Sequence, residues 1–197
     1  MPGPARRARS WGLWILLAPL VALGTLFLLA LVVLPLAVLN FRNEGASMLD
    51  TLQPGQYLWI DTLAYTRSEG PRRGEIIVFQ GPGNADRAFI KRVIGLPGDE
   101  IRISRGTVSV NGQELVEPAF IRRATYNTPS TRLPAGQYFV LGDNRPNSAD
   151  SHLGWTVPAQ DILGKAWFSY WPPSTWGAVE HGSAPYLQIP PPPPEGT

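Results

Sequence analysis

The chain has 197 residues, 44% of them hydrophobic, with no cysteine, two histidines and a formal charge of +2. Without cysteine there is no disulfide framework, no thiolate catalysis and no cysteine-ligated zinc or iron–sulfur centre. Two imidazoles are too few for a His-rich metal site, and a near-neutral charge gives no electrostatic footprint for nucleic acid.

The predicted elements begin with an apolar run. Residues 1–10 carry Arg6, Arg7 and Arg9, and no charged residue then occurs until Arg42. The stretch 11–39 exceeds the ~20 residues needed to cross a bilayer, and membrane helices tolerate its Pro19 and Pro35. A buried core helix would carry some charge. A cleavable leader would have an apolar region of only about 7–15 residues. The expectation is therefore a retained single-pass anchor, N-terminus cytoplasmic because the arginines precede it, with the rest extracytoplasmic.

Beyond residue 40 the texture changes to short apolar runs punctuated by Gly, Pro, Asn and Asp. Strands are predicted at 57–60, 75–79, 89–94, 100–103, 107–110 and 137–141. Asn111-Gly112 supplies the pair a type I′ hairpin turn requires. No amphipathic helix longer than two turns is expected after the anchor. The reading is a β-rich domain over 40–173 with a hairpin-rich insertion at 104–134. A Pro-rich tail over 174–197 is expected not to pack.

Only two basic residues, Lys91 and Lys165, are lysines. Alternation puts Lys91 on the strand face of Phe89 and Val93, and Arg92 on the other face with Ile90 and Ile94. An ammonium pressed among apolar groups loses hydration, so its pKa falls and the free amine can serve as a general base. A lysine reaching to water from an edge strand would show the same pattern, and Lys165 reads similarly. For a nucleophile, Ser47 follows Gly45 and Ala46, small residues that allow close backbone approach. The run from Gly142 to His152 is dense in Asp, Asn and Ser, which suits either a hydrogen-bonded turn or the support of a site.

Three blocks in this order resemble type I signal peptidases, membrane-anchored Ser–Lys proteases that remove signal peptides from exported proteins. They are Gly45-Ala46-Ser47-Met48 with Thr51-Leu52; Ile90-Lys91-Arg92-Val93-Ile94-Gly95-Leu96-Pro97-Gly98-Asp99; and Gly142-Asp143-Asn144-Arg145 with Asn147-Ser148, Asp150-Ser151 and then Gly164-Lys165-Ala166. The resemblance covers residues 11 to about 173. It implies a mainly β fold, an antiparallel-sheet catalytic domain behind one N-terminal transmembrane helix. It implies Ser47 as nucleophile, Lys91 as general base and Ser148 as the hydroxyl that orients the lysine. Asp143, Arg145 and Asp150 would form the polar framework, and Lys165 would be structural. The oxyanion would lie near Gly45 and the Ser47 N–H. Met48, Leu52, Phe89 and Ile90 are candidates to line the substrate pocket. No cofactor or metal is implied. The expected partners are preproteins bearing signal peptides and membrane lipid, the latter also at the apolar surface around Trp59, and the chain is expected to be monomeric in a bacterial cell membrane.

Three departures accompany the resemblance. Asp50 stands where the family usually has proline, which is expected to loosen the loop after the nucleophile. Gly45 offers no side-chain donor. Pro146 and His152 replace a common Asp and Arg, so one framework ion pair is expected to be absent. The rival readings are His152 as base oriented by Asp150 or Asp143, a Ser–Lys maturation peptidase with a specialised substrate, and a noncatalytic membrane-tethered β-domain.

Overall fold

The computed structural model describes residues 11–65, 69–182, 186, 188 and 189, with side chains at 11–14, 16, 32–36 and 84–86 outside the description. The expected cytoplasmic segment 1–10 and the end of the chain from 190 therefore lie outside the described residues. Two compact units divide between Ala37 and Val38.

The first unit contains α1 (Trp11–Ala37), a 27-residue helix. Its described apolar side chains are mostly exposed, among them Leu20, Leu23, Leu26, Phe27 and Leu29. Counted over the described residues, no helix is long and apolar enough to cross a membrane. In α1 those side chains are positions 15 and 17–31, a run shorter than the ~20 residues of a span. The helix stops two residues before the expected end of the apolar segment, because Val38 and Leu39 already pair with Asp61 and Ile60 as strand.

The second unit is built from antiparallel strands. They are β1 (Val38–Asn43), β2 (Gln56–Asp61), β3 (Ile76–Gly81), β4 (Asn84–Gly95), β5 (Glu100–Ser104), β6 (Thr107–Val110), β7 (Gln113–Glu114), β8 (Thr128–Arg132), β9 (Gln137–Leu141), β10 (Val157–Pro158), β11 (Ile162–Trp171) and β12 (Gly177–Ala178). The main sheet runs β1-β2-β11-β3-β4-β9-β10, with β12 added to β11; β7-β6-β5-β8 form a second sheet. All six strands read from the sequence are present. The weakly patterned β1, β7, β8, β10, β11 and β12 were not legible. Asn111 and Gly112 have φ of 53° and 79°, the doubly positive pair a type I′ turn needs.

The small sheet starts at Glu100, so the insertion takes in β5 as well as 104–134. Its apolar residues Ile101, Ile103, Val108 and Val110 share one core with Ile94, Phe139 and Leu141 of the main sheet. The tail corrects the expectation that it would not pack. Gly177 and Ala178 pair with Ser169 and Phe168, and Val179, Tyr186 and Ile189 are buried. Tyr186 and Ile189 complete the same core, an apolar gain that outweighs the expectation drawn from proline content.

Candidate active site

The turn after β1 is pinned from below. Asn43 is buried and donates through Nδ2 to Gln53 O, and its own carbonyl accepts from Gly55 N. Within the turn Leu52 N donates to Met48 O, which points Met48 and Leu52 inward. Both are buried, 0% and 2% exposed, against Leu58, Ile60, Ile76, Val78 and Ile90. This corrects their expected place in a substrate pocket: burying two large apolar side chains fixes the turn, and so presents Ser47 on the opposite side.

Strand β4 supplies the partner. Lys91, opposite Ile77 in the β3–β4 register, is 3% exposed, and its Nζ lies 2.8 Å from Ser47 Oγ and 2.9 Å from Ile90 O. The Phe89 ring centroid is 5.6 Å from the same nitrogen. Burial pushes the Lys91 amine down to about 8, against the opposing pull of the Asp150 and Asp143 carboxylates. Lys165 is elsewhere, paired with Glu75 at 2.7 Å, so only one of the two lysines meets a candidate nucleophile.

Arg92, on the reverse face of β4, binds Asp143 in a two-pronged pair, Nε to Oδ1 at 2.8 Å and Nη2 to Oδ2 at 2.7 Å. Its Nη1 donates to Gly74 O and His181 O, and the rings of Phe120 and Tyr186 lie 5.6 and 5.5 Å from its guanidinium carbon. Asp143 Oδ2 also accepts from Thr51 Oγ1. One buried carboxylate thus joins β4, which carries Lys91, to the turn that carries Ser47. Sequence reasoning placed Asp143 in the framework but missed Arg92. The signal was present: an arginine on a face otherwise made of Ile90 and Ile94 requires a buried counter-charge.

The other framework residues close on the backbone beneath the serine. Arg145 donates through Nε to Gly142 O and pairs with the buried Glu117, a second partner not anticipated. Asp150 Oδ2 accepts from Gly142 N at 2.9 Å. Asn144 N donates to Ser47 O at 2.9 Å and its side chain to Ala46 O at 3.0 Å. The Ser148 hydroxyl, expected to bond the lysine, is buried with no hydrogen-bond partner, because Lys91 directs its nitrogen to Ser47 and Ile90. A Cβ on Gly142 would fall 2.2 Å from Ser148 Oγ and 2.6 Å from Ser47 O. Gly142→Ala should therefore lower kcat/KM on a peptide substrate by about 10²-fold, the scale of an ångström-level misplacement, with the circular dichroism spectrum retained.

Two departures turn out to be accommodated. Asp50, expected to loosen its loop, accepts from Arg122 Nε at 3.0 Å and Nη2 at 2.5 Å. Arg122 in turn donates through its N–H to Asp143 O, tying the turn to the second sheet's connection. At the position where an ion pair was expected to be absent, His152 makes a hydrogen-bond contact, its Nδ1 2.7 Å from Asp150 Oδ1. That ring stacks on Tyr126, 4.3 Å between centroids, and Ser47 Oγ is bonded by Lys91 instead.

A cleft of about 470 Å³ opens over the pair. The candidate pocket residues Phe89 and Ile90 are among those that line it, with Gly45, Phe41, Arg42 and Arg87. Among the described residues it lies between two unpaired stretches of strand: β1 is bonded on one side only, and β4 pairs with β9 only from Arg92 onward.

Residues 13–171 match the family model described as signal peptidase, peptidase S26. The protein named "Probable signal peptidase I-1" from Synechocystis is 43% identical over 140 residues, covering 68% of this chain and 71% of its own. A signal peptidase I from Bacillus caldolyticus is 39% identical over 184 residues, 85% of this chain and 92% of its own. A crystal structure of a signal peptidase I from Enterococcus faecalis V583 aligns with 48% of this chain and 95% of its own at 33% identity, TM-score 0.41. With a family model spanning most of its length, this chain belongs to the signal peptidase family, peptidase S26, and is an enzyme of that serine peptidase family.

Proposed function

We propose that this protein is a membrane-anchored endopeptidase that removes signal peptides from exported preproteins, with Ser47 as nucleophile and Lys91 as general base. The observation that carries this is the 2.8 Å approach of a buried amine to the Ser47 hydroxyl. The free amine takes the Ser47 proton as Oγ attacks the scissile carbonyl, then returns it to the leaving amine; water activated by the same nitrogen hydrolyses the acyl-enzyme. The Ser47 N–H is the candidate oxyanion donor, a contribution typically worth ~10²–10³ in rate. Ser148, whose hydroxyl is buried and unpartnered, is available as a further bond to the amine. The unpaired edges of β1 and β4 suit an extended peptide, which would find backbone partners on both.

Helix α1 is the proposed anchor. Twenty-seven residues at ~1.5 Å each extend ~40 Å, beyond the ~30 Å of hydrocarbon. Its described side chains are mostly apolar and outward-facing, and the Thr25 hydroxyl bonds back to Val21 O and Ala22 O, which suits lipid and not water. The exposed rings of Trp59, Trp167 and Trp171 on β2 and β11 are the kind of amphipathic surface found at bilayer interfaces.

The full chain in detergent, incubated with a preprotein, should cut at the signal-peptide junction, and Ser47→Ala should abolish cleavage while leaving the protein folded. Undiminished cleavage by Ser47→Ala would overturn the assignment. Cleavage of a pilin-type precursor with no cleavage of preproteins would replace the substrate class but keep the dyad.

A further inference from the structure

The match to the family ends at residue 171, and the chain beyond it packs against the back of the site. Val179 N donates to Trp167 O at 2.9 Å, and the Val179 side chain enters the core that holds Met48 and Leu52. His181 then reaches both strands behind the candidate reactants. Its Nδ1 accepts from Ile76 N at 3.0 Å, and its carbonyl oxygen accepts from Arg92 Nη1. Ile76 and Arg92 face each other across the β3–β4 pair, one register step from Ile77 and Lys91. Tyr186 covers the same guanidinium, its ring centroid 5.5 Å from Arg92 Cζ. Tyr186 is fully buried and its hydroxyl has no partner among the described residues, so the ring is what it contributes.

A guanidinium is a rigid planar fork. Gly74 O and His181 O hold Nη1, so the plane in which Nε and Nη2 meet the two oxygens of Asp143 is set from the side of the C-terminal segment. Asp143 Oδ2 in turn accepts from Thr51 Oγ1, in the turn that carries Ser47. The imidazole matters because its bond to Ile76 N fixes the peptide that presents the His181 carbonyl.

We propose that His181 and Tyr186 are positioning residues of the peptidase site: they clamp Arg92 from behind and, along the Arg92–Asp143–Thr51 chain of bonds, set where the turn presents the Ser47 hydroxyl to Lys91. This rests on Ser47 and Lys91 being the reacting pair. The C-terminal segment thus contributes to the reaction without touching substrate.

In full-length protein in detergent, His181→Ala should lower kcat on a peptide substrate about tenfold with KM unchanged, a fraction of the ~10²-fold of an ångström misplacement. His181→Asn, whose Oδ1 can accept from Ile76 N in place of the imidazole, should recover most of that loss. Tyr186→Phe, which keeps the ring, should likewise recover most of what Tyr186→Leu loses. The decisive measurement is a double-mutant cycle with Thr51→Val, which breaks the last bond of the chain. With valine at that position, His181→Ala should cost less than about threefold, because the disturbance no longer reaches the turn. Costs that multiply, about tenfold in both backgrounds, would overturn the proposal, as would full activity in His181→Ala. Should His181→Ala not fold, Tyr186→Leu takes its place in the cycle with the same two outcomes. Loss of cleavage in Lys91→Met together with multiplying costs sinks this inference alone; cleavage retained in Lys91→Met sinks the dyad on which it rests.

Discussion

Lys91→Met should eliminate cleavage and at the same time raise the thermal stability of the protein at pH 7. Removing a general base costs typically 10²–10⁴-fold in rate, and no second amine is placed to replace it, since Lys165 is held by Glu75. The stability gain follows from burial. The amine, about 8 in the folded protein against 10.5 when solvated, is penalised in its charged form. A fall from 10.5 to about 8 corresponds to about 3 kcal/mol. The sign is set by the depressed value: between about pH 8 and 10.5 the unfolded chain binds the proton and the folded one does not, so stability rises across that window. Below it, both states are protonated and the folded state carries the full penalty. A methionine has no proton to lose and suits the apolar surroundings of Phe89. Calorimetry at pH 7 should show the variant melting several degrees higher, with the difference closing as pH approaches 10.5. A lower melting temperature at pH 7 would mean that the amine is not destabilised by its site. The unsubstituted enzyme's cleavage rate should correspondingly climb through about pH 8 as the free amine forms.

Asp143→Ala should be the most destabilising single change in the framework. It removes the counter-charge of Arg92, which is fully buried between Phe120 and Tyr186 and whose other hydrogen-bond partners among the described residues are carbonyl oxygens, Gly74 O and His181 O. An uncompensated buried cation costs about 3–5 kcal/mol. The same change frees the Thr51 hydroxyl and so unties the nucleophile turn from β4. Urea titration should give a large fall in midpoint, and cleavage should be lost under conditions where the fold survives. Asp50→Ala is the matching control. It also removes a two-pronged arginine pair, but one half exposed to water, and the urea midpoint should barely move. Equal falls for the two variants would show that burial is not what makes the Arg92–Asp143 pair matter.

The blocks that resemble type I signal peptidases led to Ser47 and Lys91 as candidates, whereas strand alternation and the small-residue turn alone left Lys165 equally open. The candidate pocket was legible only in part. Phe89 and Ile90 line the cleft because the edge of β4 on which they lie borders it, whereas Met48 and Leu52 lie on a turn whose inward face no periodicity reveals. The roles of Arg92, Glu117 and Arg122 were hidden for a related reason. Each is paired with a residue 51, 28 or 72 positions away, a separation that no local pattern encodes. The tail misled because proline content reports stiffness and not whether a flanking tyrosine finds a core.

By itself, the amino-acid sequence determined the long uncharged apolar segment, the β texture that follows it and the hairpin at Asn111-Gly112. Their spacing along the chain bounds those features, so one dimension suffices to read them. Only the tertiary structure decided which charges face each other: Asp143 with Arg92, Arg145 with Glu117, Asp150 with His152. Coulomb energy depends on separation in space and on the exclusion of water, and both are set by packing once distant strands have come together.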